Sequence, residues 1–346
     1  MLTLSTNVAG CDPHLDTITV SVINPIGEPI ETVTVPNTTI GWEQASDVCA
    51  HHGVTQVGIE GASGFGRCLA ESLTKQAFTV IEVPTRVTAR TRRIGGAGKT
   101  DPGDSIAIAR AVARRDGSVW RDQPDLETVR LLVNERDRQV TDQTRAVNQL
   151  RALLIELDPE LAASLGRLGR TKAPFRQLAL LNDPRDPRRG TISMLIRQTA
   201  TECLDRLERI SALTTLIEHH LPPAGHELQT IHGCGVVSAG IIIGELAGTA
   251  GFVNDAKLAA WAGTAPLDAS SGRQQRHRLN RGGNRQVNRA IHTIIITQLQ
   301  TGGEAADYIN RRITEGKTRK EAIRAAKRHL TRKIWKIIHK HHPHLT

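Results

Sequence analysis

Two hydrophobic patterns follow one another in the first 83 residues, and together they restrict the folds open to this chain. Residues 5–35 alternate apolar and polar side chains around a turn at residues 24–27, which predicts antiparallel strands. The apolar runs 54–60 and 78–83 flank a helix-like segment at 67–76, which predicts a β-α-β unit. Antiparallel strands followed by alternating strands and helices predict a mixed α/β domain.

Four acidic residues stand at the ends of these elements. Asp12 interrupts the first strand-like run and Glu60 ends a later one, while Asp101 and Asp104 open a helix. A carboxylate inside a β-run loses solvation unless it is paired or binds a metal, which favours a functional role for Asp12. Carboxylate oxygens are the ligands that Mg2+ prefers, and two such ions can clamp the attacking and leaving oxygens of a phosphodiester. We therefore predict a ribonuclease H-like domain in which these four acids converge on Mg2+.

The segment around Asp101 also has a purely structural interpretation. Asp at the N-cap, Pro102 at the first helical position and an acid at the third make a good helix start. Asp101 and Asp104 also share a helix face with Ile108, which would turn that face toward the sheet, so both interpretations can hold. The glycine-rich residues 61–66 lack the G-x-G-x-x-G order of a dinucleotide loop and predict a tight strand-to-helix turn.

The remaining sequence divides into two further parts. Heptad-like apolar stripes at 126–157 and 192–217, separated by a segment rich in Gly, Pro and Arg, predict a long antiparallel helical arm. Such an arm is either an ordinary helical hairpin or a dimerising coiled coil. After Pro222-Pro223 the composition changes, and an amphipathic helix is expected at 318–340. The predicted domains are therefore an α/β domain at 1–120, a helical arm at 121–222 and a mainly α-helical domain at 223–346.

Charge indicates the class of partner. Lys and Arg outnumber Asp and Glu by 45 to 35, which gives a net charge of +10 and favours a polyanion such as nucleic acid. No apolar run approaches the roughly 20 residues of a membrane-spanning helix, and no signal peptide is evident, so a cytoplasmic protein is expected. The five cysteines are scattered, which argues against a disulfide framework or a zinc site.

Two segments of the C-terminal part are candidates for phosphate binding. Gly233 and Gly235 precede an apolar helix, where backbone N–H groups can hold a phosphate or can simply form a capped turn. Further on, two serines stand beside an arginine cluster, which is either a solvated basic loop or a site where a serine attacks a phosphodiester. The residues concerned are Ser270, Ser271, Arg273, Arg276, Arg278, Arg281, Arg285 and Arg289.

Taken together, these motifs resemble the IS110 family of transposases, also called DEDD transposases. The segments that carry the resemblance are Cys11-Asp12, GIEGASGFG (58–66), VPTRVTARTRR (83–93), GKTDPGDSIAIAR (98–110), HGCGVVSA (232–239), WAGTAP (261–266) and SSG with RGGNRQVNRAI (270–291). The motifs keep the family order and cover nearly the entire chain.

The resemblance implies a RuvC-like N-terminal domain, a helical arm and a C-terminal transposase domain with a nucleophilic serine. The DEDD acids would be Asp12, Glu60, Asp101 and Asp104. The family motif has Ser directly before Gly, so Ser271 matches better than Ser270. Cys11 stands where the family often has Ile, and a buried thiol can fill that place.

The resemblance also implies recombination that moves an insertion element. A structured guide RNA encoded by the element would pair with donor and target DNA. Because the acids and the serine lie in different predicted domains, they must meet within the fold or across protomers, and a dimer or tetramer is expected. Recognition of duplex shape and backbone by a basic protein is compatible with such guidance. With four Trp, four Phe and one Tyr, extensive base stacking is not expected.

Other functions remain as alternatives. A RuvC-like junction resolvase would use water as the nucleophile, and a non-catalytic repressor would bind nucleic acid without turnover. A tyrosine recombinase is disfavoured, since Tyr308 is the single tyrosine and only Arg311 and Arg312 are near it in sequence. An actin-like ATPase would need a second glycine-rich phosphate loop, which is not found.

Overall fold

The computed structural model describes residues 6–62, 64–85, 87–89, 101–166, 168–169, 171–182, 186–249, 251–265, 267–268, 277–278 and 283–342. The chain forms two compact units. The first contains Met1–Pro124, Leu246–Leu258 and Ile338–Thr346, and the second contains Asp125–Glu245 and Ala259–Ile337. The division into three domains with boundaries at 120 and 222 stays a prediction. No helix in the described ranges has the length and hydrophobicity needed to cross a membrane.

The first unit contains a six-stranded mixed sheet. Its order is β3-β2-β1-β4-β5-β6, with β1, β2 and β3 antiparallel and with β1, β4 and β5 parallel. The predicted mixed α/β domain is confirmed, and the strand order agrees with a ribonuclease H-like sheet. The strands are β1 Val8–Pro13, β2 Thr17–Ile23, β3 Pro29–Pro36, β4 Gln56–Ile59, β5 Thr79–Glu82 and β6 Ser118–Val119.

Helices cover both faces of this sheet. Helices α1 (Thr39–His51) and α2 (Arg67–Lys75) bury their apolar side chains with one face of the sheet, and α3 (Asp101–Ala113) packs on the other. Alternate residues of a strand point to opposite faces, so Cys11 of β1 lies in the first core while its neighbours Gly10 and Asp12 face α3. Cys11 is fully buried, as the sequence predicted.

Long helices dominate the rest of the chain. Helices α4 and α7 have 34 residues each. The elements are α4 Pro124–Leu157, α5 Pro159–Ser164, α6 Ala173–Ala179, α7 Pro187–His220, α8 Pro223–Leu228, α9 Val236–Gly244, α10 Asp255–Trp261, β7 Leu267–Asp268, β8 His277–Arg278, α11 Arg285–Thr301, α12 Glu304–Thr314 and α13 Arg319–His341.

Helices α4 and α7 pack side by side in opposite directions. Near one end, Arg136 Nε donates to Thr214 Oγ1 at 2.9 Å, and at the other end Arg189 Nη2 donates to the Leu157 carbonyl at 2.9 Å. Between these contacts the two helices share an apolar core. Asp186 begins α7, since its carboxylate accepts from Arg189 N–H and Pro187 follows it at the first helical position. The predicted stripes therefore form a helical hairpin, and its dimerisation stays a prediction. Core members include Leu150, Leu154, Ile196 and Cys203.

A methyl group at Gly10 should destabilise the first unit. A Cβ there would lie 2.2 Å from the Ser105 carbonyl oxygen, so α3 would have to move. We expect Gly10→Ala to cost about 1–3 kcal/mol or more, as overpacking of a core does. At Gly64 the nearest atom to an added Cβ is 3.5 Å away, so Gly64→Ala is the matched control. Equal thermal unfolding midpoints for the two variants would contradict the close crossing of α3.

Candidate functional site

The register of two parallel strands brings Asp12 and Glu60 side by side. Strands β1 and β4 pair Gly10 with Gly58 and Cys11 with Ile59, and Glu60 N–H donates to the Cys11 carbonyl at 3.4 Å. Asp12 and Glu60 each lie two residues beyond a paired glycine, at the carboxyl ends of strands about 4.8 Å apart. The predicted turn after Glu60 is confirmed, because the N–H groups of Gly64 and Gly66 both donate to the Gly61 carbonyl at 2.7 and 3.1 Å.

The two paired glycines allow α3 to cross the sheet beside these acids. A Cβ at Gly58 would lie 2.4 Å from Val112 Cγ2, just as one at Gly10 would meet Ser105. The Ser21 and Ser105 hydroxyls share a buried hydrogen bond of 2.7 Å, which fixes the helix over β2. Because side chains alternate along a strand, Asp12 lies on the same face as Gly10, which is the α3 face.

Asp104 lies in the first turn of α3, one residue before Ser105, whose backbone packs over Gly10. Arg110 Nε donates to the Gly27 carbonyl at 3.1 Å, in the turn after β2 at the end of the sheet opposite Asp12. Asp104 is six residues before Arg110, about 240° around the helix, so its side chain leaves from a different flank. Asp101 is the first residue of α3, and its side chain lies outside what the structure describes.

The acids suit a hard cation by donor type, since all are carboxylates. Among the side chains that the structure describes, no three of His, Cys, Asp or Glu are close enough together to hold a metal ion. The side chain of Asp101 is not among those described. The structure therefore places Asp12 beside Glu60 and puts Asp104 on the crossing helix, while the four-acid metal site stays a prediction.

Sequence reasoning missed His14 and two apolar residues near the carboxyl ends of β1 and β4. His14 Nε2 lies 3.4 Å from Asp12 Oδ2, and the sequence signal for this contact was that His14 follows Asp12 by two residues. The turns that follow β1 and β4 expose Leu15 and Phe65, with 72% and 67% of their surface accessible. On the other face, burial raises the pKa of the Cys11 thiol, and the charges of Cys49 and Asp12 raise it further.

The predicted serine site falls mostly outside the described residues. This applies to Ser270, Ser271, Arg273, Arg276 and Arg281, and to the side chain of Arg278, whose backbone lies in β8.

The two ends of the serine segment are nevertheless held together within the second unit. Asn284 N–H donates to the Trp261 carbonyl at 2.6 Å, and a Cβ at Gly283 would lie 2.3 Å from the Gly263 nitrogen. Asn284 caps α11, because its side-chain oxygen accepts from Gln286 and Val287 at 3.0 Å.

Asn288, one turn into α11, connects this base to α13. Its Nδ2 donates to the carbonyls of Ala262 and Gly263 at 2.9 and 3.1 Å. Its Oδ1 accepts from Lys327 Nζ at 2.8 Å, and burial lowers the pKa of that ammonium group. Asn288 therefore fixes the segment before the serines against two helices.

The remaining predicted binding residues have different surroundings. Arg285 is exposed on the first turn of α11, whereas Arg289 forms an ion pair with Asp137 of α4. Gly233 has φ +81°, and a Cβ there would lie 3.0 Å from the Ile294 carbonyl, so this position requires glycine for a packed turn. Gly235 precedes α9 with open space around it. Phosphate binding by these residues stays a prediction.

Comparisons with known proteins identify the class. Residues 9–159 match a family model of IS110 DEDD transposases, and residues 225–310 match one described as "Transposase IS116/IS110/IS902 family". Over 275 residues the chain is 26% identical to the insertion element IS110 43.6 kDa protein of Streptomyces coelicolor, covering 66% of this chain and 67% of that protein. Over 305 residues it is 25% identical to the insertion element IS116 44.8 kDa protein of Streptomyces clavuligerus, covering 75% and 76%. These matches define a transposase of an insertion element.

The chain belongs to the IS110 family of transposases. Among solved structures, it is similar to T. thermophilus RuvC in complex with a Holliday junction substrate. That likeness has 13% identity and a TM-score of 0.27, and it covers 32% of this chain and 96% of RuvC. The strand order of the first unit is the feature that it shares with a ribonuclease H-like sheet.

Replacing Asn288 should destabilise the second unit. Asn288→Ala would leave two carbonyls and the half-buried Lys327 ammonium without this partner, and we expect a loss of about 1–3 kcal/mol. Asn310 is exposed on α12, so Asn310→Ala is the matched control. Thermal unfolding followed by circular dichroism measures both variants. If Asn288→Ala unfolds at the same temperature as Asn310→Ala, these hydrogen bonds do not stabilise the fold.

Proposed function

We propose that this transposase cleaves and rejoins DNA with Mg2+ held by Asp12, Glu60, Asp101 and Asp104. The observation that supports the proposal is the pairing of Gly10 with Gly58, which sets Asp12 beside Glu60 under the helix that carries the other two acids. Mg2+ bound there would neutralise charge on the scissile phosphate and lower the barrier to its displacement. His14 contacts Asp12 and would orient that carboxylate.

In the proposed reaction Ser271 is the nucleophile. Its Oγ loses its proton and forms a bond to phosphorus while the bond from phosphorus to a deoxyribose oxygen breaks, and that oxygen takes up a proton and leaves as a hydroxyl. The energy of the broken phosphodiester bond is thereby conserved in a phosphodiester between the serine and DNA. In rejoining, a DNA hydroxyl attacks the same phosphorus and releases the serine. Arginines close to Ser271 in sequence, among them Arg273 and Arg276, would bind the phosphate oxygens.

The acids and the serine belong to distant parts of the sequence, so activity requires that the two be brought together. We propose that this occurs in a dimer or tetramer, with the helical hairpin of α4 and α7 as a coiled-coil contact between protomers. The net charge of +10 supports polyanionic partners, which we propose to be donor DNA, target DNA and a structured guide RNA.

Removal of a proposed metal ligand should abolish strand cleavage and preserve DNA binding. For Asp12→Ala and Asp104→Ala we expect cleavage to fall about 100-fold or more, because a bound metal contributes several kcal/mol to such a reaction. Asp16, exposed in the turn after β1, gives the control Asp16→Ala. Labelled DNA incubated with Mg2+ and analysed on denaturing gels measures cleavage, and a gel shift measures binding. Robust cleavage by either variant would refute the assignment.

Replacement of the nucleophile should abolish the covalent adduct. Ser271→Ala is expected to give no protein–DNA ester after denaturation, whereas Ser270→Ala should still form it. Loss of the adduct in Ser270→Ala alone would move the nucleophile to Ser270. Metal-dependent cleavage without an adduct in the unmodified protein would favour a junction resolvase that uses water. Binding without any turnover would favour a repressor.

A further inference from the structure

The single tyrosine of the chain makes a specific aromatic contact. Helices α12 and α13 run in opposite directions, since Glu304 at the start of α12 pairs with Lys333 late in α13. One turn inward on each helix, the rings of Tyr308 and His329 meet with centroids 4.7 Å apart and planes at 60°. Tyr308 is half-buried and His329 is exposed, so the pair forms part of the protein surface.

Four arginines, two from each helix, are close enough to act electrostatically on His329. The Arg311 guanidinium lies 5.4 Å from the centre of the Tyr308 ring, at cation–π distance. Burial lowers the pKa of His329, and the charges of Arg332, Arg328, Arg311 and Arg312 lower it further. We refer to Arg311, Arg312, Arg328 and Arg332 as the arginine cluster. Arg311 and Arg312 are near Tyr308 in sequence, and the fold adds His329, Arg328 and Arg332 from α13.

The arginine cluster lies in the most basic part of the chain. Residues 304–341 contain twelve Lys and Arg against four Asp and Glu, so this segment alone carries a surplus of eight out of the ten net charges. Glu315 pairs with Arg312 and with Arg311, at 3.8 Å in the second pair. Arg311 keeps 66% of its side chain accessible, and Arg332 is exposed. A concentration of positive charge that remains accessible favours an anionic ligand.

Basic residues also continue along α13 on either side of the cluster. Lys320, Arg324 and Lys336 follow the same four-residue spacing as Arg328 and Arg332. Four residues of α-helix rise about 6 Å, so these side chains form a regular row of positive charge. Such a row, next to an exposed ring, is the combination with which proteins hold a single strand of nucleic acid: charges follow the backbone and aromatic rings stack on bases.

We propose that Tyr308, His329 and the arginine cluster form a binding site for an unpaired stretch of DNA. One base stacks on the Tyr308–His329 pair, and the phosphates on either side of it contact the arginines. DNA is favoured over RNA because the chain belongs to a transposase family. The inference rests on the proposed function for the identity of its ligand, and it adds a place where that ligand is held.

Loss of the tyrosine ring should weaken binding of single-stranded DNA. Tyr308→Ala is expected to lower the affinity between about fivefold and 150-fold, the range measured when one stacking side chain is removed. Tyr308→Phe keeps the ring and should bind like the unmodified protein. Fluorescence anisotropy with the full chain and a labelled oligodeoxynucleotide, an RNA of the same sequence and the duplex measures all three ligands.

Loss of one arginine should change the salt dependence. Arg332→Gln is expected to reduce the slope of log affinity against log salt by about one, because one phosphate contact is lost. The matched control is Arg145→Gln. Like Arg332, Arg145 is an exposed arginine on a helix, with 76% of its side chain accessible, and it lies on α4, outside the arginine cluster. This control should leave both the affinity and the slope unchanged.

The outcomes separate this inference from the proposed function. Absence of DNA binding by the unmodified protein would remove the DNA ligand from both. Normal binding by folded Tyr308→Ala, or equal effects of Arg332→Gln and Arg145→Gln, would overturn the site alone. If Tyr308→Ala lowers the affinity for RNA alone, DNA is overturned as the ligand. If Tyr308→Phe lowers the affinity for DNA as much as Tyr308→Ala does, the hydroxyl and not the ring makes the contact, which overturns stacking. If Tyr308→Ala does not fold, the salt slope of Arg332→Gln decides.

Discussion

The close crossing of α3 over the sheet is the contact on which the candidate site depends. Gly10 and Gly58 are paired across β1 and β4, and neither has room for a Cβ. With two side chains removed from the interface, helix backbone and strand backbone come into direct contact, and the buried Ser21–Ser105 hydrogen bond fixes their relative position. Asp12 and Glu60 follow these glycines by two residues, so the contact that fixes the helix also fixes the distance between helix and acids.

In the second unit, side-chain amides hold the two ends of the segment that contains the predicted serine site. Asn284 caps α11, and Asn288 donates to two carbonyls of the segment before the serines while it accepts from Lys327. Amide side chains offer both donors and acceptors, so Asn288 can join α11 to the backbone of residues 262–263 and to the Lys327 side chain of α13 without adding a charge. Of the arginines of this motif whose side chains the structure describes, Arg285 is exposed and Arg289 pairs with Asp137.

Much of this architecture could be predicted from sequence because the signals are local. Strand alternation, the break after Val83 and the apolar stripes of α4 and α7 each depend on residues close in the chain, and the structure confirms these elements within a few residues. The motifs also indicated the correct family. The contact of His14 with Asp12 was missed although the two are close in sequence, because an exposed histidine in a turn has many ordinary roles.

The sequence by itself determined which residue types are present and which element each occupies: carboxylates at strand and helix ends, glycines before them and a basic last helix. Only the tertiary structure decided which of these meet. The pairing of Gly10 with Gly58, the crossing of Ser105 over β2, and the contact of Tyr308 with His329 each join residues that are far apart in the chain. Such contacts depend on strand register and on how helices pack, and these are set by the whole buried core, so no local pattern specifies them.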